Sequence, residues 1–144
     1  MKSTVELDIE APRDRVAALF NDPNNNPKWM DDIARIEPIK GPLGEPGSVY
    51  RFVPKDNPEL SFVATVVARE PAQTRLLLEN PNVTVAITDE FRELSSAKTK
   101  LISQEVFNFK GLFSRIYGFV GALAIKRAHR QHMEAFKRFA ETHA

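Results

Sequence analysis

Ser103 and Glu105 stand two apart in LISQEVFNF, residues 101–109, a stretch otherwise patterned as a β-strand. Alternation puts Leu101, Ser103, Glu105, Phe107 and Phe109 on one face, and Ile102, Gln104, Val106 and Asn108 on the other. Neither face is wholly apolar. Pattern alone therefore leaves Glu105 open as a reacting carboxylate, a residue of a wet cavity or a solvated charge. A second acid, Asp89, lies in the preceding strand, NVTVAITDEFREL. Two carboxyls in one pocket can separate their pKa values and do acid–base work. A buried carboxylate on its own is costly, so each is expected to be protonated, hydrogen-bonded or paired with a cation. Arg51, Arg69 and Lys100 are the candidate cations from the sheet, and the hydroxyls of Ser103 and Tyr117 are the candidate donors.

His129 and His132, three apart on one helix face, have a spacing that can bind metal. A metal site also needs ligands from other elements, and the remaining histidine, His143, lies near the C-terminal end. The two are therefore expected to be surface histidines of a basic helix, with no metal and no cofactor. With no cysteine in the chain, thiol nucleophiles, thiolate metal sites and disulfides are excluded. GxSxG, glycine-rich phosphate loops, HExxH and RNA-binding signatures are also missing, which argues against triad hydrolysis and phosphoryl transfer.

These residues sit on a chain of 144 residues, most economically one domain, 1–144, with enough length to bury a core. The formal net charge of +1 gives no general reason to bind nucleic acid. From Gly111 onward six basic residues face two acidic ones, a net of +4, leaving −3 for the first 110 residues. A basic C-terminal helix can favour an anionic surface, although a solvated helix face has the same composition. The opening MKSTVELDIEAP has no apolar core of a signal peptide, so a cytoplasmic setting is the expectation. Asn82-Val83-Thr84 is a formal glycosylation sequon that carries little weight without a secretion signal.

STVELDIE alternates as a half-buried strand. Pro12 then suits a helix start, with Val16, Leu19 and Phe20 at helical spacing, and NDPNNNPKW ends that helix. A short helix or turn near Trp29 follows. IARIEPIKG is a strand that Pro38 assigns to a sheet edge or bulge. SVYRFVP, LSFVATVVARE, TRLLLEN, NVTVAITDEFREL and LISQEVFNF complete the set, with LSSAK as a hairpin joint. A proline-free tract from Gly111 to about Thr142 is the one long helix. Such short connections favour an antiparallel meander, and only the long helix is large enough to cover its apolar face.

The order strand, two short helices, six strands, long helix resembles the START-like, helix-grip superfamily, also called SRPBCC, which includes polyketide cyclase/aromatase-like, birch-pollen-allergen-like and lipid-transfer proteins. IEAPRDRVAALFNDPNNNPKW resembles the family's opening helix ending near a tryptophan, GEPGSVYRF its glycine and aromatic strand, and VVAREPAQTRLLL its strand–proline–strand joint. NFKGLFSRIYGFVGALAIKRAHRQHMEAFKRFAE resembles its closing strand-to-helix junction. The implied fold is α+β: a seven-stranded curved antiparallel sheet wrapped around the C-terminal helix, with two short helices after the first strand and an internal cavity.

The resemblance turns Phe107 inward, and Leu101, Ser103 and Glu105 with it. On the neighbouring strand Val85, Ile87, Asp89 and Phe91 then face inside, which leaves the nearly all-polar set Thr84, Thr88, Glu90 and Arg92 outside. An LSSA turn places Asp89 opposite residue 101 or 103, with Glu105 one or two pairs along.

A binding role for a small hydrophobic, aromatic or lipid-like ligand is the leading expectation. Trp29, Tyr50, Phe62, Phe91, Phe107, Ile116 and Tyr117 would form its walls, joined by Val85, Ile87 and Val120. Asp89, Ser103 and Glu105 would meet its polar end. The second expectation is a cyclase, dehydratase or isomerase, in which Asp89 or Glu105 moves a proton and Tyr117 or a serine steadies an oxyanion. A third is lipid delivery, with residues 111–125 touching a membrane surface, a segment too short to span one.

Overall fold

The computed structural model describes residues 1–111 and 119–143, with side chains for all of these except Phe119 and Val120. The expectations for Ile116, Tyr117 and Val120, and for membrane contact at residues 112–118, lie outside the described part.

Strand β1 (Lys2–Ile9) leads into helix α1 (Arg13–Asn21), a 3-10 turn (Pro23–Asn25) and the single-turn helix α2 (Asn26–Trp29). Six strands follow: β2 (Ile33–Lys40), β3 (Val49–Pro54), β4 (Phe62–Glu70), β5 (Gln73–Glu79), β6 (Val83–Ser95) and β7 (Lys98–Phe109). Helix α3 (Phe119–His143) closes the chain. Among the described residues no helix is long and apolar enough to cross a membrane.

The strands form one antiparallel sheet in the order β1-β7-β6-β5-β4-β3-β2. From β2 to β7 each strand pairs with its sequence neighbour, so short turns suffice; the β1–β7 pairing alone spans most of the chain. Pro38 falls on β2, an edge strand, where the register shifts between Pro38 and Lys40; a residue without an amide proton is tolerated there. The β6–β7 hairpin pairs Asp89 with Ser103, Ile87 with Glu105 and Val85 with Phe107.

Helix α1 starts at Pro12, whose fixed φ suits a helix entry. It buries Val16, Ala17 and Leu19. On α3 the buried positions His129, Met133, Phe136 and Ala140 follow one another at intervals of four, three and four. That is the spacing of a single helical face, and it lies against the sheet. Phe136 is the hub of an aromatic cluster, with ring centroids 4.9 Å from Phe20 and 5.2 Å from Trp29. Phe20 reaches Phe91 at 5.5 Å. Together with Val5, Ile9, Val16 and Leu101 these residues form a dense core at one end of the sheet. At the other end Ile33, Tyr50, Phe52, Ala64 and Val66 form a second cluster, flanked by Phe62, Leu76 and Leu78, which are only partly buried.

Candidate functional site

The second cluster is loosely covered because it walls a cavity of about 270 Å³ between the sheet and α3. Strands β3 to β5 contribute Tyr50, Phe52, Phe62, Val66, Leu76 and Leu78, and β6 and β7 contribute Val85, Ile87 and Phe107. Trp29 and Met30 close one side, and Ile125, Ala128 and Met133 of α3 form the roof. Gly44 also lines the space, with φ +87°; a Cβ there would lie 3.0 Å from the Asn21 carbonyl oxygen and 3.1 Å from Pro23. Both the backbone and the close approach therefore demand glycine where the β2–β3 turn meets the end of α1.

Four polar side chains gather at the inner end of the cavity: Asp89, Ser103, Glu105 and His129. Alternation on β6 and β7 aims the first three at the helix, and the helical stripe places His129 above them. His129 is 1% exposed. Its Nδ1 lies 2.8 Å from Ser3 Oγ and its Nε2 2.9 Å from Ser103 Oγ. A neutral imidazole fits this clamp, donating to one serine and accepting from the other. Burial first, then the nearby positive charges of His132 and Arg130, pushes its pKa down to about 4. The 3.7 Å approach of His129 Nδ1 to Glu105 Oε1 is therefore not an ion pair at neutral pH. The expectation of a surface histidine is corrected here: the charged stretch around it disguised a residue whose partners, Ser3 and Ser103, come from β1 and β7.

Asp89 is 0% exposed, and neither carboxyl oxygen has a hydrogen-bond partner among the described residues. Its two cross-strand neighbours, Thr74 on β5 and Ser103 on β7, both carry hydroxyls. The Thr74 hydroxyl donates to Asn21 Oδ1 at 2.7 Å, and the Ser103 hydroxyl is engaged with His129. Desolvation raises Asp89 to about 7; the nearby Ser103 hydroxyl opposes that rise and the Glu105 charge adds to it. Glu105 keeps a 17% exposed side chain, yet burial still raises it to about 7, against the opposing pull of His132.

The cations expected for these acids bond elsewhere. Arg51 reaches Glu37 at 3.4 Å, Arg69 reaches the Gly44 carbonyl and Glu45, and Lys100 lies 3.9 Å from Asp8. Among the described residues no lysine or arginine lines the cavity. His132 stands nearer the mouth, with Nε2 3.2 Å from Asp32 Oδ1. Burial alone would lower His132, but the hydrogen bond and charge of Asp32 outweigh it and raise the pKa, while Asp32 is lowered in return. Among the described residues no group of three or more His, Asp or Glu is placed to hold a metal ion.

Of the residues singled out in the sequence, Trp29, Tyr50, Phe62, Val85, Ile87, Asp89, Ser103, Glu105 and Phe107 line the cavity. Phe91 does not; it belongs to the dense core, under α1 and Phe20. The lining residues missed in the sequence include those on α3, Met30, Asp32 and Ile33, and Phe52, Val66, Leu76 and Leu78 of the sheet. For His129 the signal was present, since the stripe Ala140, Phe136, Met133 runs straight into it.

No family model matches the sequence, and no curated protein does. Solved structures do match in shape. Ara h 8.0201 superposes with a TM-score of 0.76 at 15% identity, covering 99% of this chain and 98% of that one. A START superfamily protein from Mycobacterium smegmatis gives 0.72 at 14%, covering 99% and 95%. The di-domain ARO/CYC StfQ from the steffimycin biosynthetic pathway gives 0.74 at 16%, covering 97% of this chain and 45% of that one. With its seven-stranded antiparallel sheet folded about a long C-terminal helix, the chain has the START-like, helix-grip fold.

Proposed function

We propose that this protein binds a small hydrophobic or aromatic, lipid-like molecule in the cavity between sheet and α3. The observation that carries the reading is the composition of the walls: mostly aromatic and aliphatic side chains, with a few polar groups, among them Asp89, Ser103, Glu105 and His129 at the inner end and Asp32 and His132 at the mouth. Small-molecule sites have this character, and their volumes run from roughly 300 to 1,000 Å³. At about 270 Å³ the cavity suits a ligand of one or two rings. Native mass spectrometry of the purified protein tests this, with a retained small molecule as the expected result. Trp29, the single tryptophan, lines the cavity and supplies an optical reporter. Phe107→Ala should weaken binding of an aromatic probe by about tenfold, the loss of one well-buried ring contact. Thr88→Ala, on the outer face, should leave it unchanged. No retained mass together with no Trp29 response to aromatic probes would defeat the reading.

A second reading is favoured by Asp89 and Glu105, both raised to about 7. Carboxyls poised near neutral pH suit general acid–base chemistry of the cyclase, dehydratase or isomerase type. In that case Glu105→Gln abolishes turnover while leaving binding largely intact, whereas unchanged turnover removes Glu105 from the chemistry.

A further inference from the structure

The apolar walls say that a ligand is greasy; the polar end says more about its head group. We infer that the cavity selects a hydrophobic amine, whose ammonium lodges between the carboxylates of Asp89 and Glu105 while its apolar body lies against Tyr50, Phe52, Leu76 and Phe107. This deepens the proposed function and rests on it.

Three observations converge on a cationic head. First, Asp89 is wholly enclosed, lines the cavity and has no hydrogen-bond partner among the described residues. Buried carboxyls are ordinarily paired or hydrogen-bonded, so this one is built for a donor the described chain does not provide. Second, of the hydroxyls that flank it on β5 and β7, that of Thr74 donates to Asn21, and that of Ser103, bonded to His129, can turn its proton to Asp89 only when His129 Nε2 carries the ring hydrogen, so at most one donor is at hand. Third, the charges around the cavity do not balance. Asp32 and His132 pair with each other at the mouth, His129 is neutral, and no lysine or arginine faces the space among the described residues. Among the described residues, ionised Asp89 and Glu105 thus have no lysine or arginine to answer them, only the charge of His132 acting on Glu105.

Their geometry fits one ammonium. Asp89 pairs with Ser103, and Glu105 is two residues further along the same face of β7. Diagonal neighbours of this kind are about 7–8 Å apart at the backbone, less at the side-chain tips. Two carboxyls can therefore converge on one small cation with three N–H donors, replacing the missing partner with charge-assisted hydrogen bonds. An anionic head group would meet repulsion from both acids. A neutral carbonyl could accept a hydrogen bond only from their protonated forms, and its binding would follow pH in the opposite direction.

Three probes of matched shape separate these cases: 2-naphthylmethylamine, 2-naphthylmethanol and 2-naphthoate, titrated against the intact protein by Trp29 fluorescence and calorimetry. At about pH 8.5 the amine is expected to bind at least about tenfold more tightly than the alcohol, the scale of a charge-assisted contact, with the naphthoate weakest. The amine's affinity should rise between about pH 6 and about pH 8.5 as Asp89 and Glu105 lose their protons. His132 gives up its charge as the pH climbs past its raised pKa, which removes a competing cation and acts in the same direction. Asp32 stays ionised, and His129 stays neutral, across that range. Asp89→Asn and Glu105→Gln should each cut amine affinity by about tenfold or more and leave the alcohol unaffected. Thermal melts of both near-isosteric variants verify that they fold, and the pH profile of the unaltered protein needs no variant at all. Equal affinity for amine and alcohol, or an affinity that falls with rising pH, would overturn the amine inference yet keep the hydrophobic-ligand reading. Failure of all three probes to bind would overturn both.

Discussion

The β6–β7 hairpin runs beneath α3 through both ends of the interior, yet one end is solid and the other hollow. Moving along the inner face of the β6–β7 ladder, the pair Phe91 and Leu101 is fully buried in the dense core. The next pair, Asp89 and Ser103, is equally buried but polar. Ile87 with Glu105 and Val85 with Phe107 then open onto the cavity. Helix α3 makes the same transition at the same level: Ala140 and Phe136 in the core, His129 at the polar step, Ile125 over the cavity. The difference lies in what fills the space between sheet and helix. At the solid end α1 and α2 insert Val16, Leu19, Phe20 and Trp29. At the hollow end this helical segment supplies only one side wall, through Trp29 and Met30, so a row of polar residues marks where close packing stops and the cavity begins.

Truncating one large residue at each end tests this contrast most severely. Phe136 touches Phe20 and Trp29 and is completely enclosed. Phe136→Ala should cost about 3–5 kcal/mol, the usual loss for an aromatic removed from a close-packed core. Leu76, partly buried on the cavity wall, already borders empty space, so Leu76→Ala should cost under about 2 kcal/mol because fewer contacts are lost. Urea unfolding of both variants gives the comparison. Similar losses at both positions would mean that the hollow end is as tightly packed as the other.

The solid end was the more legible in the sequence. Val5, Leu7 and Ile9 alternate, Val16 and Leu19 keep helical spacing, and Pro12 and Pro38 mark a helix entry and an edge strand. Each of these signals is local, so it survives without knowledge of the fold. The LSSA turn likewise narrowed the partner of Asp89 to residue 101 or 103 through hairpin geometry, and in the sheet it is Ser103. What alternation could not supply was the facing of β7, because Ser103 and Glu105 spoil the apolar parity; the resemblance at the strand-to-helix junction supplied it. Nor does facing reveal what covers a residue. Phe91 and Asp89 share one face, but only Phe91 lies beneath α1. His129 was hidden for a related reason: its local context is charged, and its burial depends on serines 126 and 26 residues away.

The polar step between the two ends carries a stability cost that pH should expose. Burial lifts Asp89 to about 7, whereas an unfolded chain loses that proton near about 3.9. The folded state therefore holds a proton that the unfolded state has released, so this contribution is full below about pH 4 and lost as the pH rises to about 7. Glu105 acts in the same direction. His129 opposes them below about pH 6.5, where an unfolded histidine takes up a proton that the buried ring refuses until about 4. Asp89→Asn removes the largest of these contributions. The variant should match the wild type near pH 4 and exceed it at about pH 8 by a few kcal/mol, with a ceiling of about 4 at roughly 1.36 kcal/mol per pKa unit. Such a gain from removing one carboxyl is what a site held for a ligand at the expense of stability would show. Urea unfolding at the two pH values checks it, and a variant no more stable at the higher pH would mean that Asp89 already has a stabilising partner.

The smallest expected effect distinguishes two histidines one helical turn apart. His129 lies at the polar step and His132 at the mouth, with its side chain 31% exposed. Followed by proton NMR, His132 should titrate above the ordinary value of about 6.5 and His129 only near about 4. Asp32→Asn removes the hydrogen bond and charge that hold His132 up, so its titration should move down while that of His129 stays in place. The cost in stability should be under about 1 kcal/mol, because Asp32 is 59% exposed and water screens the pair. That cost should appear only between the lowered pKa of Asp32 and the raised pKa of His132, since the pair needs both charges. If both rings instead titrated together near about 6.5, each would be facing solvent, and the polar step would not seal the solid end from the hollow one.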